Sequence, residues 1–295
     1  MSQHNHKSFF KYVTADTAAI ILKNQTLRWS SPILFNDPFD VPREFLPDVS
    51  KEQLASAIAK SMFLLLKNND LKIDEVSEAL RPLFEEIKNK YPNGAPERII
   101  NSFERMIENT PVSKNADLII DDFREHWRKL VKNLRILCLT TDYKNTPMWN
   151  HYAESYTGVV LEFLCKEETQ SPWMLAKPVC YTDEKPKNYS PEGMAELLVL
   201  PQKKGIEYLV DKSTYIKKTE WSQEKEWRVL FSKRPNELNK LTSDYTFHHK
   251  ELGRIFIGPK ISEEASGEIK ILSKKYPNAK IVKVLIGPSG DFIFE

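Results

Sequence analysis

Glycine is scarce in this chain. It occurs 9 times in 295 residues, about 3% against a typical usage near 7%. No two glycines form G-x-G, so the fingerprint G-x-G-x-x-G and the phosphate loop G-x-x-x-x-G-K-[ST] are both missing. A Rossmann dehydrogenase, a P-loop NTPase and a protein kinase are thereby excluded, and any nucleotide must be held by other means. Cysteine is nearly absent too. Cys138, Cys165 and Cys180 are odd in number and form no C-x-x-C pair, which argues against a disulfide framework or zinc ribbon and suits a reducing compartment. No metal site is expected. Neither sign of charge dominates: 43 Lys plus Arg face 41 Asp plus Glu, a net charge of +2. Such a balance gives no global field to steer the chain onto nucleic acid or an anionic membrane. The longest strongly apolar run, Met62 to Leu66, is far short of the roughly 20 residues of a membrane span. Met1 to Tyr12 is polar before Phe9 and lacks a signal-peptide core. A soluble cytoplasmic protein with no membrane partner is the expectation.

What is present is a full complement of core formers, at 41% hydrophobic residues. Ser8 to Tyr12 and Leu27 to Ser30 read as strands around a helix from Ala15 to Lys23, with Thr14 as its N-cap. Prolines at 32, 38 and 42 punctuate the loop Ser31 to Pro42. From Ser50 to Lys132 apolar residues recur at helical spacing. The stripes are Leu54-Ile58-Met62-Leu65-Leu66, then Val76-Leu80-Leu83-Phe84-Ile87, a third after Pro96 with Ile99, Ile100, Phe103 and Ile107, and a fourth with Leu118, Ile119, Phe123, Trp127 and Leu130. Core packing accounts for these stripes without any function, and His126 among charged neighbours reads as a surface residue. Strand-like runs then follow at 134–141, 158–164, 178–181, 226–231, 254–257 and 281–286. Strands at both ends of a helical middle predict one α+β domain over residues 1–295, with 50–132 as a helical insertion.

Three segments have the residue types for chemistry. Phe35-Asn36-Asp37-Pro38-Phe39 is a strong turn signal, readable as a rigid corner with two aromatic anchors. Pro147 to Ala153 forms a short helix after a strand ending in Thr140 and Thr141; Trp149 and Tyr152, three apart, share its face. They serve as core aromatics with polar tips or as pocket lining. His151 would suit a general base, but no Ser or Cys has a nucleophile elbow beside it. In the third segment, Glu224 to Arg228, strand alternation puts Glu224, Glu226 and Arg228 on one face and Lys225, Trp227 and Val229 on the other. A carboxylate pair there is either a solvated face with salt bridges or a device for stabilising a cationic transition state, such as the oxocarbenium formed when an N-glycosidic bond breaks. Spacing leaves both open.

Taken together, Lys11-Tyr12, FNDPF at 35–39, Met148-Trp149-x-x-Tyr152-Ala153 before Gly158, and Glu224-x-Glu226-Trp227-Arg228 resemble the bacterial family of the domain of unknown function numbered 2971, over about residues 8 to 260. That family in turn is similar to ADP-ribosyltransferases. The resemblance implies a split β-sheet with a helical insertion, NAD as substrate, and NAD-dependent ADP-ribosyl transfer or NAD glycohydrolysis by a toxin-like or defence-associated effector, such as one of phage defence. It implies Glu226 and Glu224 as catalytic residues and Lys11, Tyr12, Asn36, Thr140, Trp149 and Tyr152 as NAD contacts, with a protein or nucleic-acid acceptor. Lys11-Tyr12 stands where those enzymes have His or Arg. The other reading is a non-enzymatic ligand- or nucleic-acid-binding module, for which Lys203 to Arg234 offers nine basic residues against five acidic ones.

Overall fold

A computed structural model describes residues 4–44, 49–67, 72–92, 96, 102, 105–107, 116–184, 186–237 and 240–295. The chain divides into two compact units, one of 1–37, 132–181 and 217–295, the other of 38–131 and 182–216. The architecture is mixed α+β, as the alternation of helical and strand-like runs predicts. The helical unit draws on a second segment, 182–216, beyond the 50–132 insertion expected from the sequence.

The first unit contains the strands β1 (Ser8–Val13), β2 (Thr26–Ser30), β3 (Leu134–Thr140), β4 (Val159–Leu164), β5 (Lys177–Pro178), β6 (Cys180–Tyr181), β7 (Ile216–Lys217), β8 (Glu226–Ser232), β9 (Thr242–Thr246), β10 (Leu252–Ile257), β11 (Lys280–Ile286) and β12 (Phe292–Phe294), β7 lying at the boundary. Its helices are α1 (Ala15–Asn24), capped by the Thr14 side chain as predicted, and two further ones introduced below. The main sheet runs β12-β11-β10-β4-β1-β3-β2-β9, with β8 against β3 and β5 against β8. Only β10 and β11 pair in parallel among the described registers, and a helix at Glu263–Ser273 connects them.

Alternation along β1 explains the two faces. Phe9 and Val13 join Leu22, Leu137, Leu139, Leu161, Phe163, Val229 and Ile255 in the larger core. Phe10 and Tyr12 join Trp149, Ala153, Val160, Phe256 and Val284 in a smaller one on the opposite side. β3 is the hub. It pairs with β8 over seven positions, from Leu134↔Ser232 to Thr140↔Glu226. With β1 it shares the single register pair Phe10↔Thr140, and with β2 the pair Ser30↔Ile136. Between those two contacts the backbone edge of β3 is left to other partners, and Lys11 Nζ supplies one by donating to the Cys138 carbonyl at 3.1 Å.

The connection into β4 is conformationally demanding. Glu154, Ser155 and Tyr156 have φ of 48°, 53° and 74°, a left-handed run that costs L-residues about 1–2 kcal/mol each. Backbone bonds hold it: Ser155 N–H to the Asn150 carbonyl at 2.9 Å, Gly158 N–H to Ala153 at 2.8 Å and Lys260 N–H to Tyr156 at 3.1 Å. Gly258 donates to the Gly158 carbonyl at 3.0 Å, an approach a Cβ would block.

In the helical unit, α2 (Lys51–Leu66) starts at a Ser50–Gln53 capping box and buries Leu54, Ile58, Met62, Phe63 and Leu66, the predicted stripe with Phe63 in place of Leu65. α3 (Arg81–Lys90) buries Phe84 and Ile87. α4 (Ala116–Asn133) carries Trp127, whose indole N–H donates to the Pro42 carbonyl at 2.7 Å, and His126 lies on its exposed side. The helix expected after Pro96 falls largely outside the described residues. Among the described residues no helix is long and apolar enough to cross a membrane.

A Cβ at Gly258 would lie 2.3 Å from the Tyr156 carbonyl oxygen and 2.6 Å from that of Gly158, whereas Gly267, in the 263–273 helix, has nothing within 4 Å. Gly258→Ala is therefore expected to destabilise by about 2 kcal/mol or more, and Gly267→Ala to stabilise by about 0.5–1 kcal/mol. Urea unfolding midpoints measure both; equal shifts would contradict the packing described.

Candidate functional site: a buried ion cluster at the start of β8

The short helix α5 (Thr146–His151) begins at Asn145, whose side chain accepts the Met148 N–H, and Pro147 fits its first turn. It delivers Tyr152 to its C-cap. On the other side, a 3-10 turn at Thr219–Glu224 ends with Lys225 at φ 47°, and β8 starts one residue later. Strand alternation holds for Glu226 and Arg228, which lie on the face opposite Trp227 and Val229. Glu224 is not on the strand: the left-handed Lys225 turns the chain, and Lys225 itself points to Asp142 Oδ2 at 2.9 Å. The two carboxylates nonetheless meet.

They meet on Lys217. Its ammonium donates to Glu224 Oε2 at 2.7 Å and to Glu226 Oε2 at 3.2 Å. Arg228 grips Glu226 bidentately, Nε to Oε1 at 2.7 Å and Nη2 to Oε2 at 3.0 Å. All four side chains are buried, Arg228 completely. The Phe35 ring lies 5.4 Å from the Arg228 guanidinium, and Lys217 lies 4.9 Å from the Trp221 ring. Tyr152 OH donates to Glu224 Oε1 at 2.7 Å. Tyr181 OH accepts the Glu226 backbone N–H at 2.8 Å, and Thr140 OH donates to the Glu224 carbonyl at 2.7 Å. A solvated strand face is ruled out; these are desolvated ions.

Burial alone would raise the Glu226 carboxyl, but the charge and hydrogen bonds of Arg228, then Lys217 and the Cys138 thiol, hold it down to about 2. The Cys138 thiol is pushed far up by burial, reinforced by Glu226, so it is no thiolate nucleophile. Desolvation pulls the Lys11 ammonium below the ordinary lysine range, against Cys138 and the Glu226 charge. Burial raises the Tyr152 hydroxyl, with the Glu224 charge adding to it, and raises Tyr181 to about 12. A carboxylate offers about four acceptor positions. On Glu226 they are taken by two Arg228 nitrogens, Lys217 and the Cys138 thiol. On Glu224 the bonds described are those from Tyr152 and Lys217.

Of the residues singled out from sequence, Lys11, Thr140, Tyr152, Glu224 and Glu226 are brought together here. Tyr12 stands one step away: its hydroxyl donates to the Asp142 carbonyl at 2.9 Å and accepts the Asn145 N–H at 3.1 Å, fixing the loop that launches α5. Trp149 is fully buried in the smaller core, with its indole N–H on the Tyr143 carbonyl at 3.0 Å. It supports the sheet and does not face the cluster, although it is three residues from Tyr152. Asn36 is exposed, and its neighbour Phe35 is the residue of that loop that reaches Arg228. His151 is exposed at the end of α5. Sequence reasoning missed Lys217, Tyr181 and Cys138. Lys217 stood unmarked in a basic stretch, and its burial arises only from tertiary pairing. Among the described residues no group of His, Cys, Asp and Glu is arranged to hold a metal.

Folding lowers the Glu226 carboxyl, so its contribution is present above the ordinary carboxylate value of 4.5 and is lost as pH falls through that value towards about 2. Urea unfolding followed from pH 6 to pH 3 is expected to show that falling arm, flattened in Glu226→Gln. Lys217→Met, which leaves buried carboxylates short of a partner, is expected to cost roughly 3–5 kcal/mol at pH 7. A pH-independent wild type or a neutral Lys217→Met would contradict the cluster.

Residues 148–229 match the model of a family described as "Protein of unknown function (DUF2971)", and that segment carries Tyr152, Lys217, Glu224, Glu226 and Arg228. No curated protein and no solved structure gives a significant match.

Proposed function

We propose, for a chain whose 148–229 segment belongs to the DUF2971 family, that the cluster at the start of β8 cleaves the N-glycosidic bond of NAD and passes ADP-ribose to a protein or nucleic-acid acceptor, or to water. One observation carries this reading. Lys11, Thr140, Tyr152, Glu224 and Glu226 come from separate segments and converge where β1 and β3 share one register pair. A sheet with one register pair at this point, and a carboxylate pair made of Glu226 at the start of β8 and Glu224 on the turn before it, fits the layout expected of an ADP-ribosyltransferase-like fold.

In this reading the bond from the nicotinamide nitrogen to the ribose breaks, and its electron pair leaves with nicotinamide. Positive charge develops on the ribose. Glu226, kept ionised and fixed by Arg228, lies beside that charge, while Lys11 attracts the pyrophosphate. Glu224, with acceptor capacity beyond Tyr152 and Lys217, takes the proton of the incoming nucleophile as the new bond to the ribose forms. A toxin-like or defence-associated role in a bacterial cytoplasm fits such an activity.

The second reading, a non-enzymatic ligand- or nucleic-acid-binding module, is favoured by the saturation of Glu226, whose acceptor positions are taken by Arg228, Lys217 and Cys138. Incubation with nicotinamide-labelled and adenylate-labelled NAD, with and without cell extract, separates the two. The enzyme reading expects nicotinamide release that falls at least a hundredfold in Glu226→Gln and in Glu224→Gln (the scale of one lost electrostatic or proton-transfer group). Release that is absent, or equal in wild type and both variants, leaves the binding module.

A further inference from the structure

Lys217 holds the ion cluster together, and it also stands where the proposed chemistry needs open space. Its ammonium lies within hydrogen-bond distance of both carboxylates, 2.7 Å from Glu224 Oε2 and 3.2 Å from Glu226 Oε2. A positive charge gains most from two carboxylates at a point that touches both, and that point is filled. Among the groups in direct contact, Glu224 and Glu226 are matched by Lys217 and Arg228, so no negative charge is left over. Lys11 adds a further positive charge facing Glu226. A ribose on its way to an oxocarbenium ion therefore meets a neutralised pair.

The two cations differ in how firmly they are mounted. Arg228 is fully buried on β8, which pairs with β3 over seven positions, and its planar fork grips Glu226 twice. Lys217 reaches in on a flexible four-carbon stem from β7, a two-residue strand whose sheet partner is the two-residue β6. A ribbon of two strands outside the main sheet has little stability of its own. Tyr181, on the facing strand, accepts the Glu226 backbone N–H at 2.8 Å. The chain leaves the first unit after Tyr181 and returns to it at Lys217, so the two ribbon residues that touch Glu226 also tether the segment 182–216. The Trp221 ring, 4.9 Å from the Lys217 ammonium, holds it by a cation–π contact. The buried Trp221 indole N–H has no hydrogen-bond partner among the described residues, so replacing this side chain removes the ring contact without breaking a hydrogen bond.

Resting on the reading that the cluster cleaves NAD, we propose that Lys217 is an autoinhibitory plug. Seated, it keeps the two carboxylates neutralised; withdrawn with the β6–β7 ribbon, it leaves them negative for the cationic ribose. Nicotinamide release from labelled NAD tests this in wild type, Lys217→Ala and Trp221→Leu. The wild type is expected to turn over slowly, Lys217→Ala at least about tenfold faster, and Trp221→Leu roughly threefold to tenfold faster. Added n-propylammonium, which replaces the missing stem and charge, is expected to slow Lys217→Ala towards the wild-type rate and to leave wild type unchanged. A Lys217 that merely supports the fold gives the opposite signs, a slower variant that the amine speeds up, and that result overturns the proposal. So does a rate unaltered by both substitutions. Urea unfolding checks that each variant folds; if Lys217→Ala has no cooperative transition, Trp221→Leu, which strands no charge, decides alone. When the plug is overturned, release that is present in wild type and lost in Glu226→Gln leaves the NAD reading standing, whereas release absent from every protein removes both.

Discussion

Lys217 is the residue on which the rest of the site depends. Two buried carboxylates cannot share a desolvated space unless their charges are met there, because an unpaired buried ion costs several kcal/mol. Lys217 meets both, and Arg228 fixes the second. With those ions in place, Glu224 can end its turn and Lys225 can adopt its left-handed conformation. Tyr152 and Tyr181 can then spend their hydroxyls on the acidic pair and its backbone. Such clusters are weak contributors to net stability but strong contributors to specificity of arrangement, since removal of any one member strands the others.

The sheet explains why the cluster sits where it does. β3 is bonded to β8 along its whole length yet touches β1 and β2 at one register pair each. Its open edge needs other partners, and Lys11 supplies one by donating to the Cys138 carbonyl. The same row of register, Glu226↔Thr140↔Phe10↔Glu162, continues to a second buried carboxylate, Glu162, held by Arg254 at 2.8 Å. Polar groups are thus laid across one face of an otherwise apolar sheet. The other face carries the larger core.

Much of this was legible in the sequence, and the reasons differ by element. β1, α1, β3, β4, α5 and β8 were set by local signals: alternation, the Thr14 and Asn145 caps, and Gly158 before a valine pair. β9 was missed because Thr242-Ser-Asp-Tyr-Thr246 lacks apolar alternation and is a strand only through pairing with β2. No helix is read from the sequence at Pro191–Val199 or Gln202–Thr214; the second of these falls in the stretch 203–234, considered there for charge alone. Glu226 and Arg228 were placed correctly by strand parity, but Glu224 reached the same place through a turn that parity does not describe. Trp149 shows the limit of helical spacing: it shares a helix face with Tyr152 in principle, yet the sheet takes its ring into the core. Lys217 was invisible because nothing local distinguishes a buried lysine from its exposed neighbour Lys218.

The central claim is that the ions around Lys217 form a nucleotide-recognising site and not merely a structural knot. Calorimetric titration of the purified chain with NAD at pH 7, repeated with Tyr152→Phe, tests it most directly. Tyr152 is about one-third exposed, so its loss frees an acceptor on Glu224 without stranding a charge. The account predicts saturable NAD binding whose affinity changes at least fivefold in Tyr152→Phe, with an unfolding cost of about 1–3 kcal/mol for the buried Glu224 oxygen left without its donor. No detectable NAD binding, or identical affinity in the two proteins, would contradict it.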